Sequence, residues 1–110
     1  MKMFISGPMS HIENYNCEAF NEMEELLKEL GWSVFNPAWL QFDETWSRNE
    51  IMSIDIAALS RCDAIVMLKG WQCSFGANAE YRYAVGTAIT VYTEEEIWQQ
   101  VKKMREGRKE

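Results

Sequence analysis

This chain of 110 residues has a single histidine, three cysteines and no long apolar run, which limits the metal centres, disulfide frameworks and membrane spans it can form. Its single histidine gives little support to a His-based metal site or a Ser-His-Asp triad. The three cysteines, Cys17, Cys62 and Cys73, have no CxxC or metal-ligand spacing, which favours a reducing compartment, so we expect cytoplasmic localisation. The longest apolar run is far shorter than the roughly 20 residues of a membrane span, and no signal-peptide pattern is present.

Basic residues are also scarce, and this limits the partners. Seventeen acidic residues against eleven basic ones give a net charge of −6, which argues against binding the phosphate backbone of a nucleic-acid polymer. A small anionic ligand can still be held by backbone amides and hydroxyl groups. Neither the GxGxxG nor the P-loop pattern occurs, so a dinucleotide site or a P-loop is not supported. We expect no cofactor and no metal ion.

What the chain does have is a regular alternation of short apolar runs and amphipathic segments. The predicted strands are 3–6, 32–35, 64–68 and 88–92, and the predicted helices are 18–30, 49–61, 75–85 and 93–106. This alternation implies an α/β fold with a four- to five-stranded parallel sheet and helices on both faces. We expect one domain, residues 1–110, with a frayed tail from about 105 to 110.

The loop after the third predicted strand is the best candidate for a functional site. It follows the apolar run 64–68, and open α/β sheets bind ligands beyond the carboxyl ends of their strands. A helix that opens near Ser74 and Gly76 could present its amide groups to an anion, with Glu80 about one turn inside. Glu80 is equally compatible with a surface position on that helix.

Two further features bear on this crevice. Asp55 lies inside an otherwise apolar helical segment, where a carboxylate is costly to bury without a partner; the alternative is the helix's one polar stripe. Ser6, Gly7, Pro8 and Met9 end the first strand, where a glycine allows backbone amides to approach a phosphate or sugar. An ordinary tight turn is the alternative. Two carboxylates in one crevice would suit chemistry at an anomeric carbon, where the transition state resembles an oxocarbenium ion.

The tryptophans in loops are candidates for contact surfaces. Trp71 lies beside the predicted site and could stack on a base; the alternative is a hydrophobic lid or a subunit contact. Trp39 and Trp46 belong to the long aromatic connection 38–47, which we expect to close the pocket or reach a partner subunit. Exposed aromatic clusters usually mark such contacts.

Several short motifs together resemble one group of proteins. The chain is similar to the small, often phage- and prophage-encoded, nucleoside 2-deoxyribosyltransferase-like proteins, over residues 1 to about 92. The resemblance implies a flavodoxin-like three-layer sandwich. The motifs that carry it are Phe4 to Met9, Asn21, Gly31, Val34 to Pro37, Trp46, Met52, Asp55 with Ile56, Cys62 to Ala64, Gly70 with Trp71, Ser74 to Ala77, and Glu80.

The resemblance also implies roles for individual residues. Characterised relatives, the transferases and the 2′-deoxynucleoside 5′-phosphate N-hydrolases, cleave an N-glycosidic bond through a glutamate nucleophile, which corresponds here to Glu80, with Asp55 as the assisting carboxylate. Ser74 stands where the transferases have an acid and the hydrolases a phosphate-contacting serine, which favours a 5′-monophosphate. Phe4 departs from the pattern, because relatives commonly have a tyrosine there that assists the glutamate. The expected substrate-binding residues are Phe4, Ser6, Gly7, Pro8, Met9, Trp71, Ser74 and Gly76.

The sequence therefore predicts an enzyme that hydrolyses the base-sugar bond of a nucleoside or deoxynucleoside 5′-monophosphate. Transfer of the sugar to a second base is the nearest alternative. A noncatalytic protein that binds or sequesters a nucleotide is another, favoured by Phe4. A small partner-binding protein that uses its exposed tryptophans is a third. Relatives are symmetric oligomers, so we expect a homodimer or homotetramer.

Overall fold

Strands and helices alternate along the chain, as the hydrophobic pattern predicts. The computed structural model describes residues 1–9, 12–40 and 42–108. The strands are β1 (Lys2–Ser6), β2 (Ser33–Phe35), β3 (Ala64–Met67) and β4 (Thr90–Thr93). The helices are α1 (Cys17–Glu29), α2 (Arg48–Leu59), α3 (Phe75–Gly86) and α4 (Glu94–Gly107). None of the helices in these ranges is long and apolar enough to cross a membrane.

The four strands form one parallel sheet in the order β2-β1-β3-β4. The chain leaves β1 toward one edge of the sheet and leaves β3 toward the other. Ligand crevices of doubly wound sheets lie at such a switch point, beyond the carboxyl ends of the two strands. Ser6 pairs in register with Met67 at this position. The sheet confirms the flavodoxin-like α/β class, with four strands in the described residues.

The core has two parts because successive side chains of a strand point to opposite faces. Met3 and Ile5 of β1 pack with α1 and α4 on one face of the sheet. Phe4, between them, packs on the other face with residues of α2 and α3, including Leu59 and Ala77. Ser6 continues the Phe4 side of β1, so its hydroxyl faces the α2–α3 layer.

The amino ends of α2 and α4 are capped by residues of the local sequence. Ser47 accepts a hydrogen bond from the amide of Glu50 at the start of α2, and the Glu50 side chain accepts one from the amide of Ser47. The predicted capping box of Thr93 and Glu96 forms in the same way at the start of α4. Each pair satisfies two backbone amides that the helix itself leaves without acceptors.

The last predicted helix, 93–106, corresponds to α4, which runs to Gly107. Its carboxyl-terminal turn contacts α1. The Arg105 guanidinium donates two hydrogen bonds to the Glu29 carboxylate on α1, at 2.9 and 3.0 Å. This bidentate contact joins residues that are distant in sequence, which is why a local pattern did not reveal it. Residues 109 and 110 lie outside the described ranges.

Candidate active site

A buried hydroxyl and two buried carboxyl groups meet at the switch point of the sheet. The Ser6 hydroxyl, at the end of β1, donates a hydrogen bond of 2.5 Å to Oε1 of Glu80 on α3. Asp55 of α2 contacts the Glu80 carboxyl group closely enough to share a proton with it. Ser6 is fully buried, and Glu80 and Asp55 are only 5% and 9% exposed. The structure thus brings together both acids that the sequence singled out.

The electrostatics of this pair follow from its burial. Loss of solvent is the main cause that raises the pKa of Glu80, and the neighbouring Asp55 adds to it; against the lowering effect of the Ser6 hydrogen bond, the pKa is raised to about 8. Burial also raises the pKa of Asp55, to about 6. Because the two groups titrate as a unit, the pair retains one shared proton near neutral pH. Strongly raised carboxyl pKa values are typical of acid-base sites.

One oxygen of the pair is unsatisfied by the chain itself. Oδ1 of Asp55 is buried and has no hydrogen-bond partner within residues 1–9, 12–40 and 42–108. Leaving a buried acceptor without a donor is costly, and each such atom in a native structure needs an explanation. Either the proton shared with Glu80 or a donor group of a bound ligand would satisfy it.

Two glycines of the predicted site lie where neighbouring elements approach each other closely. A Cβ added to Gly7 would lie 2.7 Å from Cβ of Leu68, so only glycine allows the ends of β1 and β3 to approach this closely. A Cβ on Gly76 would lie 3.2 Å from Cε of Met52, where α3 packs on α2. Both glycines therefore bring site elements together, and neither needs a ligand to explain it.

The remaining residues at the end of β1 lie in different surroundings. Pro8 accepts a hydrogen bond from the Asn16 side chain at 2.9 Å. Met9 packs against the core on the α1–α4 face, away from the carboxyl pair. Phe4 is fully buried and stacks on Phe35, with ring centroids 5.5 Å apart. Phe4 shares the Ser6 face of β1, where the resemblance anticipates a tyrosine hydroxyl.

The loop between β3 and α3 is held by hydrogen bonds of its own. Ser74 caps α3 by accepting a hydrogen bond from the Ala77 amide at 3.2 Å, which leaves its hydroxyl proton free to be donated. Trp71 is half-buried and packs against Tyr81, with ring centroids 4.7 Å apart. The Asn78 side chain donates to backbone carbonyls of this loop, a role that the sequence analysis missed.

A second buried polar cluster lies beyond the end of β2, and the sequence analysis missed it as well. The Glu24 carboxylate accepts hydrogen bonds from Asn36 at 2.9 Å and from the Trp39 indole at 2.8 Å. Burial would raise the pKa of Glu24, but the ion pair with Lys28 and these hydrogen bonds together lower it below its ordinary value. Glu24 is therefore a paired carboxylate with a structural role, in contrast to Asp55 and Glu80.

The carboxyl pair is almost fully buried, and the open clefts that the structure shows lie on the α1–α4 side. One cleft, of about 320 Å³, lies on the opposite face of the sheet between α1 and α4 and includes Leu68, Lys69 and Trp98. It contains no buried, unpaired carboxylate, so we place the candidate site at the pair on chemical grounds. Within the described ranges, no group of three or more acidic, histidine or cysteine residues forms a metal site. His11 lies outside these ranges.

Comparisons with known proteins agree with this fold. Residues 1–93 match the family described as a domain of unknown function, DUF4406, and the chain belongs to that family. Among solved structures, a 2-deoxyribosyltransferase from the psychrotolerant bacterium Bacillus psychrosaccharolyticus is similar, with a TM-score of 0.60. The two chains are 18% identical, and the match covers 84% of this chain and 71% of the transferase. The likeness shows a shared deoxyribosyltransferase-like fold. No curated protein matches the sequence.

Proposed function

We propose that this protein binds a nucleoside or deoxynucleoside 5′-monophosphate and cleaves its base-sugar bond, with Glu80 as the nucleophile. The observation that carries the proposal is the buried contact of Ser6, Glu80 and Asp55, in which two carboxyl groups retain one proton. A nucleophile and an acid in a site from which water is excluded are what glycosidic cleavage requires. The resemblance to phage- and prophage-type relatives of the deoxyribosyltransferases further supports it.

The proposed reaction has two steps. Glu80 attacks C1′ and forms an ester bond as the C1′–N bond breaks; the departing base takes the bonding electrons and a proton from Asp55. Water then adds to C1′, returns a proton to Asp55 and releases Glu80. Burial favours the shared proton on Glu80 in the free protein, so catalysis needs that proton to pass to Asp55. The Ser6 hydrogen bond assists, because it stabilises the ionised form of Glu80.

Sugar transfer is the alternative that the solved 2-deoxyribosyltransferase favours. It shares the first step, but a second base attacks C1′ in place of water. Noncatalytic binding is favoured by Phe4, whose fully buried ring supplies no hydroxyl to the pair.

One assay separates the three functions. The four 2′-deoxynucleosides and their 5′-monophosphates are incubated with the protein, with and without a second free base, and the products are resolved by chromatography.

The hydrolase hypothesis predicts catalytic release of free base and sugar phosphate by the parent protein. Glu80→Gln should remove this activity, because an amide cannot attack C1′. Glu24→Gln is the matched control, since Glu24 is also buried but lies on the α1 side; this variant should retain base release. Formation of a new nucleoside would indicate transfer. Stoichiometric binding without any product would refute the enzyme hypothesis.

A further inference from the structure

The two helices that carry the carboxyl groups open side by side at the mouth of the site. Both α2 and α3 begin near the carboxyl edge of the sheet and pack on each other. The contacts run in register, because Met52 meets Gly76 one turn before Asp55 meets Glu80. Arg48 lies one turn before Met52 on the same face of α2. Among the residues on this face of α2, Arg48 is therefore the one that lies at the mouth of the site.

Arg48 is held in place by an aromatic ring. Its guanidinium carbon lies 5.3 Å from the centroid of the Phe75 ring, at the first residue of α3. The ring is 72% exposed, so this cation–π contact lies at the surface and remains accessible. In a chain with net charge −6, Arg48 forms no ion pair with any acidic side chain of the described residues. Its donors are available to a ligand.

We propose that Arg48, positioned by Phe75, binds the phosphate group of the nucleotide; the inference rests on the function proposed above. A guanidinium donates to phosphate oxygens in a planar fork, and the amino ends of α2 and α3 add positive potential at the same mouth. Asp55 lies two turns further along the same face of α2, and its buried Oδ1, which has no partner among the described residues, is the second observation that indicates a ligand.

The spacing of these groups fits a nucleotide. Arg48 and Asp55 are about 10 Å apart along the α2 axis, from a rise of about 1.5 Å per residue. A phosphate at Arg48 would leave the sugar near the carboxyl pair. Lys69 is another cation at this edge of the sheet, but it lines the cleft between α1 and α4 on the opposite face. Arg48 is therefore better placed than Lys69 to receive the phosphate.

Calorimetric titration of variants tests this assignment. The probes are the four 2′-deoxynucleoside 5′-monophosphates and their parent nucleosides. Arg48→Ala should lower the affinity for the preferred monophosphate at least about tenfold and leave that for its nucleoside unchanged, because one charge-assisted contact is lost. Arg48→Lys should recover part of the loss. Arg82→Ala, which removes the same charge from an exposed position of α3, is the matched control and should change neither affinity.

The deciding quantity is the ratio of the affinity for the monophosphate to the affinity for its nucleoside. A merely structural role of Arg48 would change both affinities alike and leave this ratio unchanged. Equal losses for monophosphate and nucleoside, or no loss for either, would overturn the assignment. A parent protein that does not prefer monophosphates would also overturn it, because Arg48 would then have no phosphate to bind. Glu80-dependent base release from unphosphorylated nucleosides is measured in parallel. If this base release persists, the proposed reaction stands even where the Arg48 assignment fails.

Discussion

At the scale of single residues, the site depends on two buried acids that have no cationic partner among the described residues. Glu24 shows how a buried acid is usually stabilised, since it forms an ion pair with Lys28 and accepts hydrogen bonds from Asn36 and Trp39. Glu80 has a single hydroxyl donor in Ser6 and another acid beside it. An acid buried in this way stays protonated to a higher pH than an exposed one. At high pH the folded protein loses stability, because the unfolded chain can release this proton more easily.

This burial predicts an unusual pH dependence of stability. The folded protein holds a proton on Glu80 up to about pH 8, whereas the ordinary pKa is 4.5, so the unfolded chain releases that proton earlier. The stability that this proton contributes is complete below the pKa of Glu80 in the unfolded chain. It is lost as the pH rises toward the pKa of Glu80 in the folded protein. The free energy of unfolding should therefore fall across this window.

The variant Glu80→Gln stays neutral and should lose much of this dependence. Relative to the parent protein, it should be stabilised near pH 8 by at least about 1.4 kcal/mol more than at acidic pH, the equivalent of one pKa unit. Urea denaturation across the pH range measures the difference. Glu44→Gln, at an exposed position, is the control and should follow the parent curve. Parallel curves for Glu80→Gln and the parent would show that Glu80 titrates normally.

The sequence was informative about these acids but not about their partner. Asp55 was conspicuous because it interrupts an apolar helical pattern, and Glu80 because it follows a strand-loop-helix transition at one helical turn. Nothing local indicates that the hydroxyl of Ser6 reaches Glu80, since the two residues are 74 positions apart. The same limit applies to Asn36 and Glu24, whose contact depends on the packing of α1 beside β2.

At the scale of elements, hydrophobic periodicity predicted all four strands and all four helices to within a few residues at their ends. The largest errors are of two residues, at the end of α2, which stops at Leu59 and not at 61, and at the start of β4, which begins at Thr90 and not at 88. Ala88 has φ of +60°, a left-handed conformation that is typical of turns and unfavourable for strands. The last turn of α4 is stabilised by the tertiary contact of Arg105 with Glu29, which no local pattern indicates.

Strand geometry at the site makes Gly7 a sensitive position. Its α-carbon faces Leu68 so closely that an added Cβ would approach Cβ of Leu68 to 2.7 Å. Gly7→Ala must therefore separate the ends of β1 and β3, and we predict a loss of stability of about 1–3 kcal/mol. Gly86→Ala is the matched control, since nothing lies within 4 Å of its added Cβ; there alanine should be neutral or stabilising.

Chemical denaturation of both alanine variants measures this difference. Because Ser6 precedes Gly7 directly, Gly7→Ala should also displace the Ser6 hydroxyl from Glu80 and weaken nucleotide binding. Equal stability of the two variants would contradict the close approach of β1 to β3 seen in this fold.

At the scale of the whole molecule, several large aromatic side chains remain exposed. Trp39 is 51% exposed and Phe75 is 72% exposed, although the Trp39 indole is fixed by its hydrogen bond to Glu24. Trp46 is 43% exposed and forms an edge-to-face pair with Phe42. Exposed aromatic groups of this size usually mark contact surfaces, so a homodimer or homotetramer remains our prediction.

Light scattering coupled to size exclusion tests this prediction at micromolar concentration. The expected mass is two or four times the chain mass of 12.9 kDa. Trp46→Ala should weaken the association, because it removes an exposed ring from the proposed contact surface. Lys102→Ala, at an exposed charged position of α4, is the control and should not affect it. A monomer under these conditions would require the site to be complete within one chain.

Trapping the covalent intermediate would show whether Glu80 attacks C1′. The parent protein is mixed with the monophosphate that it cleaves, quenched in acid before steady state, and analysed by intact-mass and peptide-fragmentation mass spectrometry. The account predicts an added sugar phosphate on the peptide that contains Glu80, and no such adduct on Glu80→Gln. Rapid base release by Glu80→Gln, or an adduct at another residue, would contradict it.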